Sequence, residues 1–285
     1  MPRVSVVIPT WERSRRLRRA LQSVLAQTEQ DFEVLVVDDG SLTDAAERVV
    51  KACADTRARY LRLPHHQGVS AARNAGISAA TGKYVAFLDD DDEWLPEKLE
   101  SQVKLIEASG AAIGGVYTAQ LAVDEETGRI ATIRLEKHFR PEAGNIITTS
   151  SVLIRRQCFD TVGLFDEDFK AAGDYDMWIR VAARYEFVYI DVPLVKYTIH
   201  PTRISTNYQK KRNSIELLIK KHWALFSADR DCLARQYVNL SLMCHYDRAV
   251  KDAARAFFTA VRLCPWRIAT YATAMRMLLG LKRWP

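Results

Sequence analysis

The sequence predicts an α/β fold, a mostly parallel sheet sandwiched by helices, with a helical extension at the C-terminus. Three observations carry that expectation. Short β-branched runs alternate with stretches of helical spacing through the first part of the chain. Two of those runs end in consecutive carboxylates. After about Tyr208 the pattern becomes helical and basic to the end.

Taken in order, the run Val4-Ser5-Val6-Val7-Ile8 reads as a buried strand, and so do residues 33–38, 60–63 and 84–88. Helices are expected between them over 13–26, 45–54 and 69–80. Strands alternating with helices of this length form βαβ units. Ser41, Leu42, Thr43 and Asp44 offer capping side chains before the second helix, and Pro96 suits the first turn of a fourth, 96–109. From 115 to 155 the chain is more strand-like and irregular, with a turn at Glu125-Glu126-Thr127-Gly128. A helix over 174–185 and a strand over 187–190 follow. The expected division is 1–208 for the main domain and 209–285 for the helical region.

Composition excludes several classes. With 48% hydrophobic and 27% charged residues, 12 Gly and 9 Pro, the chain is neither disordered nor fibrous. Cys53, Cys158, Cys232, Cys244 and Cys264 are scattered without a Cys-x-x-Cys pair, which argues against a disulfide framework or a thiolate zinc site. A reducing, cytoplasmic setting is therefore expected. No basic-apolar-cleavage pattern precedes the first strand, so no secretory signal is expected. The net charge of +6 is uneven: 15 Lys/Arg against 5 Asp/Glu lie from Lys210 onward, leaving the remainder acidic.

The basic region holds one partial repeat. Tyr237, Leu240, Ala253, Phe257, Ala260 and Pro265 stand at the offsets of a tetratricopeptide unit, with Ser241 and Cys244 at two of its usual positions. A helical hairpin packed on the preceding domain is the first reading; a partner-binding repeat is the other. Beyond it, residues 266–285 combine apolar side chains and tryptophans with Arg267, Arg276, Lys282 and Arg283. That stretch is too short and too charged to span a bilayer, yet suits an amphipathic helix at an anionic membrane surface, or else core packing.

Phe87-Leu88-Asp89-Asp90-Asp91-Asp92-Glu93-Trp94 is the sharpest chemical signal. An apolar strand running into consecutive carboxylates places like charges together, which a hard cation such as Mg²⁺ or Mn²⁺ relieves. In open α/β sheets ligands bind beyond the carboxyl ends of the strands, where this run must lie. The competing reading is an acidic turn before the helix at Pro96. Asp38-Asp39-Gly40-Ser41 repeats the arrangement on an earlier strand, as a base or ribose contact or as an Asx-type turn. Arg73, in an otherwise apolar helix, needs an anionic or carbonyl partner. Asp174 and Asp176 are two acids at the opening of a helix, and Asp174 reads as an N-cap or as a general base for an acceptor hydroxyl. His200, just ahead of a polar loop expected over 202–207, reads as structural or exposed, or as a metal ligand or diphosphate contact. His65 and His66 read as loop. Dinucleotide and P-loop glycine patterns are missing.

Together and in order, Ser5-Val6-Val7-Ile8-Pro9-Thr10, Val37-Asp38-Asp39-Gly40-Ser41, Ala72-Arg73-Asn74-Ala75-Gly76, Asp89–Trp94 and Gly173–Arg180 resemble the family-two inverting glycosyltransferases of the GT-A fold, over about residues 3–205. The resemblance implies that Pro9, Thr10 and Asp39 hold the nucleobase and ribose and that Arg73 contacts the base. Asp89 and Asp91 become the two acids of an Asp-x-Asp motif, with Asp91 the direct metal ligand and Asp90 nearer the ribose. Asp174 becomes the catalytic base, though Gly173 stands where a Glu or Gln often precedes it. Thr149, Ser150 and Trp178 become acceptor-facing. The implied function is metal-dependent, inverting transfer from a nucleoside-diphosphate sugar, uridine favoured. The acceptor is a glycan or lipid-linked hydroxyl of surface polysaccharide, lipopolysaccharide or another glycoconjugate. Mn²⁺ or Mg²⁺ is the expected cofactor and no nucleic acid is an expected partner. A protein made in the cytosol and peripheral on the inner membrane face fits the basic tail. Two other readings stand beside this one. A catalytically inactive scaffold would use the helical tail. A sugar-phosphate nucleotidyltransferase would usually carry a glycine-rich loop near the first strand, and residues 9–19 contain no glycine.

Overall fold

A computed structural model describes residues 1–201, 203, 207–268, 271 and 272. The loop expected over 202–207 and the amphipathic helix expected over 266–285 fall largely outside them. The described chain divides into two compact units. The first comprises 1–139, 146–167 and 177–200; the second comprises 140–145, 168–176 and the chain from 201 onward.

The first unit is built on a nine-stranded mixed sheet. Its elements run β1 (Val4–Thr10), α1 (Ser14–Leu25), β2 (Phe32–Asp38), α2 (Ala45–Ala52), β3 (Ala58–Arg62), α3 (Val69–Ala79), β4 (Tyr84–Phe87), β5 (Glu93–Trp94), α4 (Lys98–Ala108), β6 (Ile113–Asp124), β7 (Ile130–Ile133), β8 (Val152–Arg155), α5 (Gln157–Val162), α6 (Gly173–Ala182) and β9 (Glu186–Ile199). The first turn of α6 belongs to the second unit and the rest to the first. The order is β3-β2-β1-β4-β8-β6-β9-β5, with β7 paired to β6. β3, β2, β1 and β4 are mutually parallel, as the βαβ pattern requires. Beyond β4 the pairing is mixed: β8 is antiparallel to both β4 and β6, and β9 is parallel to β6.

The apolar runs build two cores, one on each face of this sheet. Val4, Val6, Ile8, Val34 and Val36 join Leu17 and Leu21 of α1, Val49 of α2 and Leu99 and Val103 of α4. Val7, Leu35 and Val37, one residue out of phase, join Ala72 and Ile77 of α3 with Phe159, Met177 and Trp178. Alternate side chains of a strand point to opposite faces, so a run apolar at every position must be covered twice. Each fully buried aliphatic side chain here contributes roughly 1.5–3 kcal/mol. Gly76 lets α3 lie directly on β1, since a Cβ there would sit 2.3 Å from Val7 Cγ1.

Two local expectations change. The strand expected over 187–190 continues to Ile199, because the chain passes Pro193 through an irregularity: Thr118 pairs with Ile190 and Ala119 with Pro193. Asp191 and Val192, and then Leu194 before Gln120 pairs with Val195, are the extra residues, and an irregularity of this kind accommodates a proline that cannot donate to the ladder. Of the capping side chains expected before α2, Thr43 Oγ1 accepts from Ala45 N at 3.4 Å, while Asp44 forms no side-chain cap bond and pairs with Arg48 one turn on.

The second unit is helical: α7 (Tyr208–Lys221), α8 (Trp223–Ser227), α9 (Arg230–Tyr246) and α10 (Val250–Leu263). Ala234, Ala260 and Cys264 form a small core against Tyr237, Val238 and Leu263. Ser241, one of the departures from the repeat pattern, donates its hydroxyl to Ala253 O of α10 at 2.8 Å. Among the described residues no helix is long and apolar enough to cross a membrane.

Candidate active site

Parallel pairing brings the carboxyl ends of β1, β2 and β4 to one edge of the sheet, with Thr10, Asp39 and the acidic run on it. The backbone locks them in register: Asp39 N donates to Thr10 O at 2.9 Å, and Leu88 N to Val7 O at 3.0 Å. Asp38 is buried and structural, accepting from Ser41 N at 2.8 Å and Tyr60 OH at 2.7 Å. Asp39, also buried, accepts from Gln67 N and Gly68 N, both at 2.8 Å, and lies 2.8 Å from His66 Nδ1. Gly40 makes this closure possible. At its φ of +72° a side chain is strained, and a Cβ would lie 2.4 Å from the His65 carbonyl carbon.

Sequence reasoning missed what rests on that closure. The half-exposed Trp11 ring stacks on His66 with centroids 4.2 Å apart. Its only sequence signal was an aromatic residue directly after the strand-end Thr10.

Asp89, Asp90, Asp91 and Asp92 form one tight turn, closed by Asp92 N donating to Asp89 O at 3.0 Å. The turn gives the four acids different surroundings. Asp90 points inward, accepting from Thr10 Oγ1 at 2.7 Å and lying 3.4 Å from Arg13 Nη1. Burial, then the Asp91 charge, pushes its carboxyl up to about 7. Asp92 is buried too, accepting from Ser150 Oγ at 2.6 Å and Thr198 N at 2.9 Å. Burial and the charges of Asp91 and Asp89 raise it well above the carboxylate range. Asp89 is about a third exposed and pairs with Arg73 Nη2 at 2.6 Å, which supplies the anionic partner that a buried arginine needs. Asp91 meets Arg13 Nη1 at 3.1 Å and His200 Nε2 at 2.9 Å. Burial works to raise the Asp91 carboxyl, but the His200 hydrogen bond and the Arg13 charge outweigh it and hold it low.

Among the described residues no cluster of three or more metal-ligating side chains occurs. Asp91 and His200 nevertheless fit Mg²⁺ or Mn²⁺, which bind through few protein ligands and complete their shells with water and phosphate oxygens.

The side chains expected to face an acceptor are placed otherwise. Trp178 is fully buried, its indole N–H donating to Ile147 O at 3.1 Å. Helical periodicity sets it beside Met177 and Val181 in the core. Thr149 and Ser150 are buried in a short 3₁₀ turn. Ser150 is a strut beneath the acidic turn: its Oγ donates to Asp92 and accepts from Asp89 N at 3.1 Å, and its carbonyl takes Trp94 Nε1 at 2.8 Å. Asp174 lies in the first turn of α6, half-buried. Its Oδ2 accepts from Asn145 Nδ2 at 3.1 Å and its Oδ1 from Tyr175 N at 2.9 Å.

This fold is that of the GT-A glycosyltransferases. The chain resembles the S. aureus TarS 1-349 structure in complex with UDP-GlcNAc (TM-score 0.65, 16% identity, 99% of this chain and 93% of that one). It also resembles the mannosyltransferase PcManGT from Pyrobaculum calidifontis in complex with GDP-Man and Mn²⁺ (TM-score 0.64, 19% identity, 99% and 81%). Glycosyl transferase family 2 matches residues 5–163, and Glycosyltransferase like family 2 matches residues 131–239. The chain belongs to glycosyltransferase family 2. An uncharacterized glycosyltransferase of Methanocaldococcus jannaschii is 30% identical over 78% of this chain and 80% of its own. The putative colanic acid biosynthesis glycosyl transferase WcaA of Escherichia coli is 28% identical over 78% and 85%. The match to an uncharacterized glycosyltransferase of Rickettsia felis, 33% identical, spans only a third of that longer protein.

Proposed function

We propose that the protein transfers a sugar from a nucleoside-diphosphate donor to a hydroxyl acceptor, with inversion and with help from Mn²⁺ or Mg²⁺. The observation that carries this reading is the Asp89–Asp92 turn at the parallel strand ends, with Asp91 beside His200. Asp91 and His200 would hold the cation, whose chemistry when bound is to neutralise charge on the departing diphosphate. Thr10, Asp39 and the Trp11–His66 stack surround the nucleoside, with uridine as its preferred base, as in the TarS complexes with UDP and UDP-GlcNAc. Arg73, paired with Asp89, contacts the base, Asp90 lies toward the ribose, and Asp89 is the second acid beside the cation. Asp174 takes the proton from the acceptor hydroxyl as its oxygen bonds to the anomeric carbon. The anomeric carbon–oxygen bond to the diphosphate breaks on the opposite side, so configuration inverts and no covalent sugar–enzyme intermediate forms.

The acceptor we propose is a glycan or lipid-linked hydroxyl in surface polysaccharide, lipopolysaccharide or other glycoconjugate synthesis, reached from the cytoplasmic membrane face. The basic charge of the helical region and the exposed Phe258, Trp266 and Ile268 support a peripheral membrane contact. Flotation with anionic liposomes at low and high salt tests it; absence of binding at low salt removes it.

The transfer itself is tested by incubating the protein with a panel of nucleotide sugars and Mn²⁺ and following nucleoside diphosphate release. Release from one donor is expected. Consumption of a nucleoside triphosphate with a sugar phosphate, giving pyrophosphate, would make the protein a nucleotidyltransferase instead.

A further inference from the structure

We infer that His222 and Lys221, at the end of α7, are positioning residues for Asp174, acting through the buried carboxylate of Asp176. The inference rests on the reading of Asp174 as the base. Asp176 is fully buried two residues after Asp174, on the first turn of α6. Its Oδ1 lies 2.9 Å from Lys221 Nζ and 2.8 Å from His222 Nε2. At about 100° per helical residue, positions i and i+2 face nearly opposite sides. A carboxylate locked on one side of the turn therefore fixes where its neighbour points on the other.

The surrounding bonds brace the same short segment. Ala171 N donates to Ser214 Oγ of α7 at 3.1 Å. Lys221 Nζ lies 5.3 Å from the centre of the Phe169 ring. Tyr175 OH donates to Pro141 O at 2.6 Å and accepts from Gln236 Nε2 of α9 at 3.3 Å. Between these anchors Ala172 holds a φ of +53°, a conformation that persists in a non-glycine residue when its surroundings impose it. A helix-start acid acting only on the helix dipole has no need of burial, or of the two nitrogen groups of Lys221 and His222 brought to it from a later helix. The tail helices thus hold the segment that carries the base.

The chemical consequence is a split between turnover and binding. A misplacement of about 1 Å in a reacting group costs on the order of a hundredfold in rate. His222→Ala and Lys221→Met are therefore expected to lower kcat for UDP release from a UDP-sugar with Mn²⁺ by roughly ten- to a hundredfold, with donor KM within a few-fold. His222→Gln, which keeps an N–H near the position of Nε2, is expected to restore most of the rate. Full rate in both His222→Ala and Lys221→Met overturns the inference, and so does a slow His222→Gln that matches His222→Ala. Should His222→Ala not fold, Lys221→Met and His222→Gln decide between the same outcomes. Asp174→Asn is measured alongside: normal turnover there removes the base reading itself, whereas a slow Asp174→Asn beside full-rate α7 variants removes only the positioning role.

Discussion

His200 Nε2 lies 2.9 Å from Asp91 Oδ2, although 109 residues separate the two in sequence. β9 makes the meeting possible: it runs parallel to β6, pairs with β5, and ends at Ile199. Donor nitrogen and carboxylate are thus delivered to one point by two strands of one sheet, a rigid support for ligands that a diphosphate-bound cation would need.

Asp91→Asn is expected to abolish Mn²⁺-dependent binding of UDP while the fold is kept, since one charge leaves a crowded acidic turn. His200→Ala should weaken that binding about tenfold or more. Calorimetric titration of UDP with and without Mn²⁺ reads both. Unchanged metal-dependent affinity in both variants would take Asp91 and His200 out of the site.

Ser150→Ala removes the hydroxyl that bonds Asp92 and Asp89 N. Two buried polar groups then lose a partner, at a cost of about 1–3 kcal/mol each. Urea denaturation should move to lower midpoint, and metal-dependent nucleotide affinity should fall with it. A variant altered only in acceptor KM would restore the acceptor-facing reading of Ser150.

Trp11→Ala should weaken nucleoside diphosphate binding by about 1–3 kcal/mol, the scale of base–aromatic stacking. Affinity for inorganic pyrophosphate with Mn²⁺ should stay as it was. Equal losses for UDP and pyrophosphate would contradict a base-facing role for the Trp11–His66 stack.

Glu33, at the start of β2, is buried and accepts from Ser5 Oγ at 2.7 Å and from Thr81 N and Oγ1 at 2.8 and 2.7 Å. Burial opposes its ionisation, but these donors and Arg59 outweigh it and hold its carboxyl below the ordinary glutamate value of 4.5. A depressed folded-state pKa contributes stability that is present above the unfolded value and lost as pH falls through the folded one. Glu33→Gln should therefore be less stable than wild type at pH 7, with the gap narrowing as the pH falls below the ordinary glutamate value of 4.5. Denaturant midpoints across that range check it; a gap independent of pH would assign the effect to shape alone.

β1, β2 and β4 were legible because each carries apolar residues on both of its faces, which burial on both sides of the sheet explains. β9 was legible only to Ile190, since Asp191 and Pro193 look like an end until β6 is there to pair past them. β5 is two residues long and hidden inside the acidic run. The run itself stood out, but not which acids turn inward: Thr10, Ser150 and Thr198 decide that, and all are remote in sequence. The same holds for Asp176, which reads as a second helix-start acid until Lys221 and His222 are found beside it.

The central claim is that the strand-end acids bind a nucleoside diphosphate through a divalent cation, and thermal denaturation with UDP and Mn²⁺ tests it most directly. A ligand at a hundredfold excess over its Kd stabilises the folded state by about 2.7 kcal/mol. The account predicts that UDP and Mn²⁺ together raise the midpoint by several degrees, while either alone moves it little. An unchanged midpoint with both present, or an equal rise with UDP and a chelator, would contradict it.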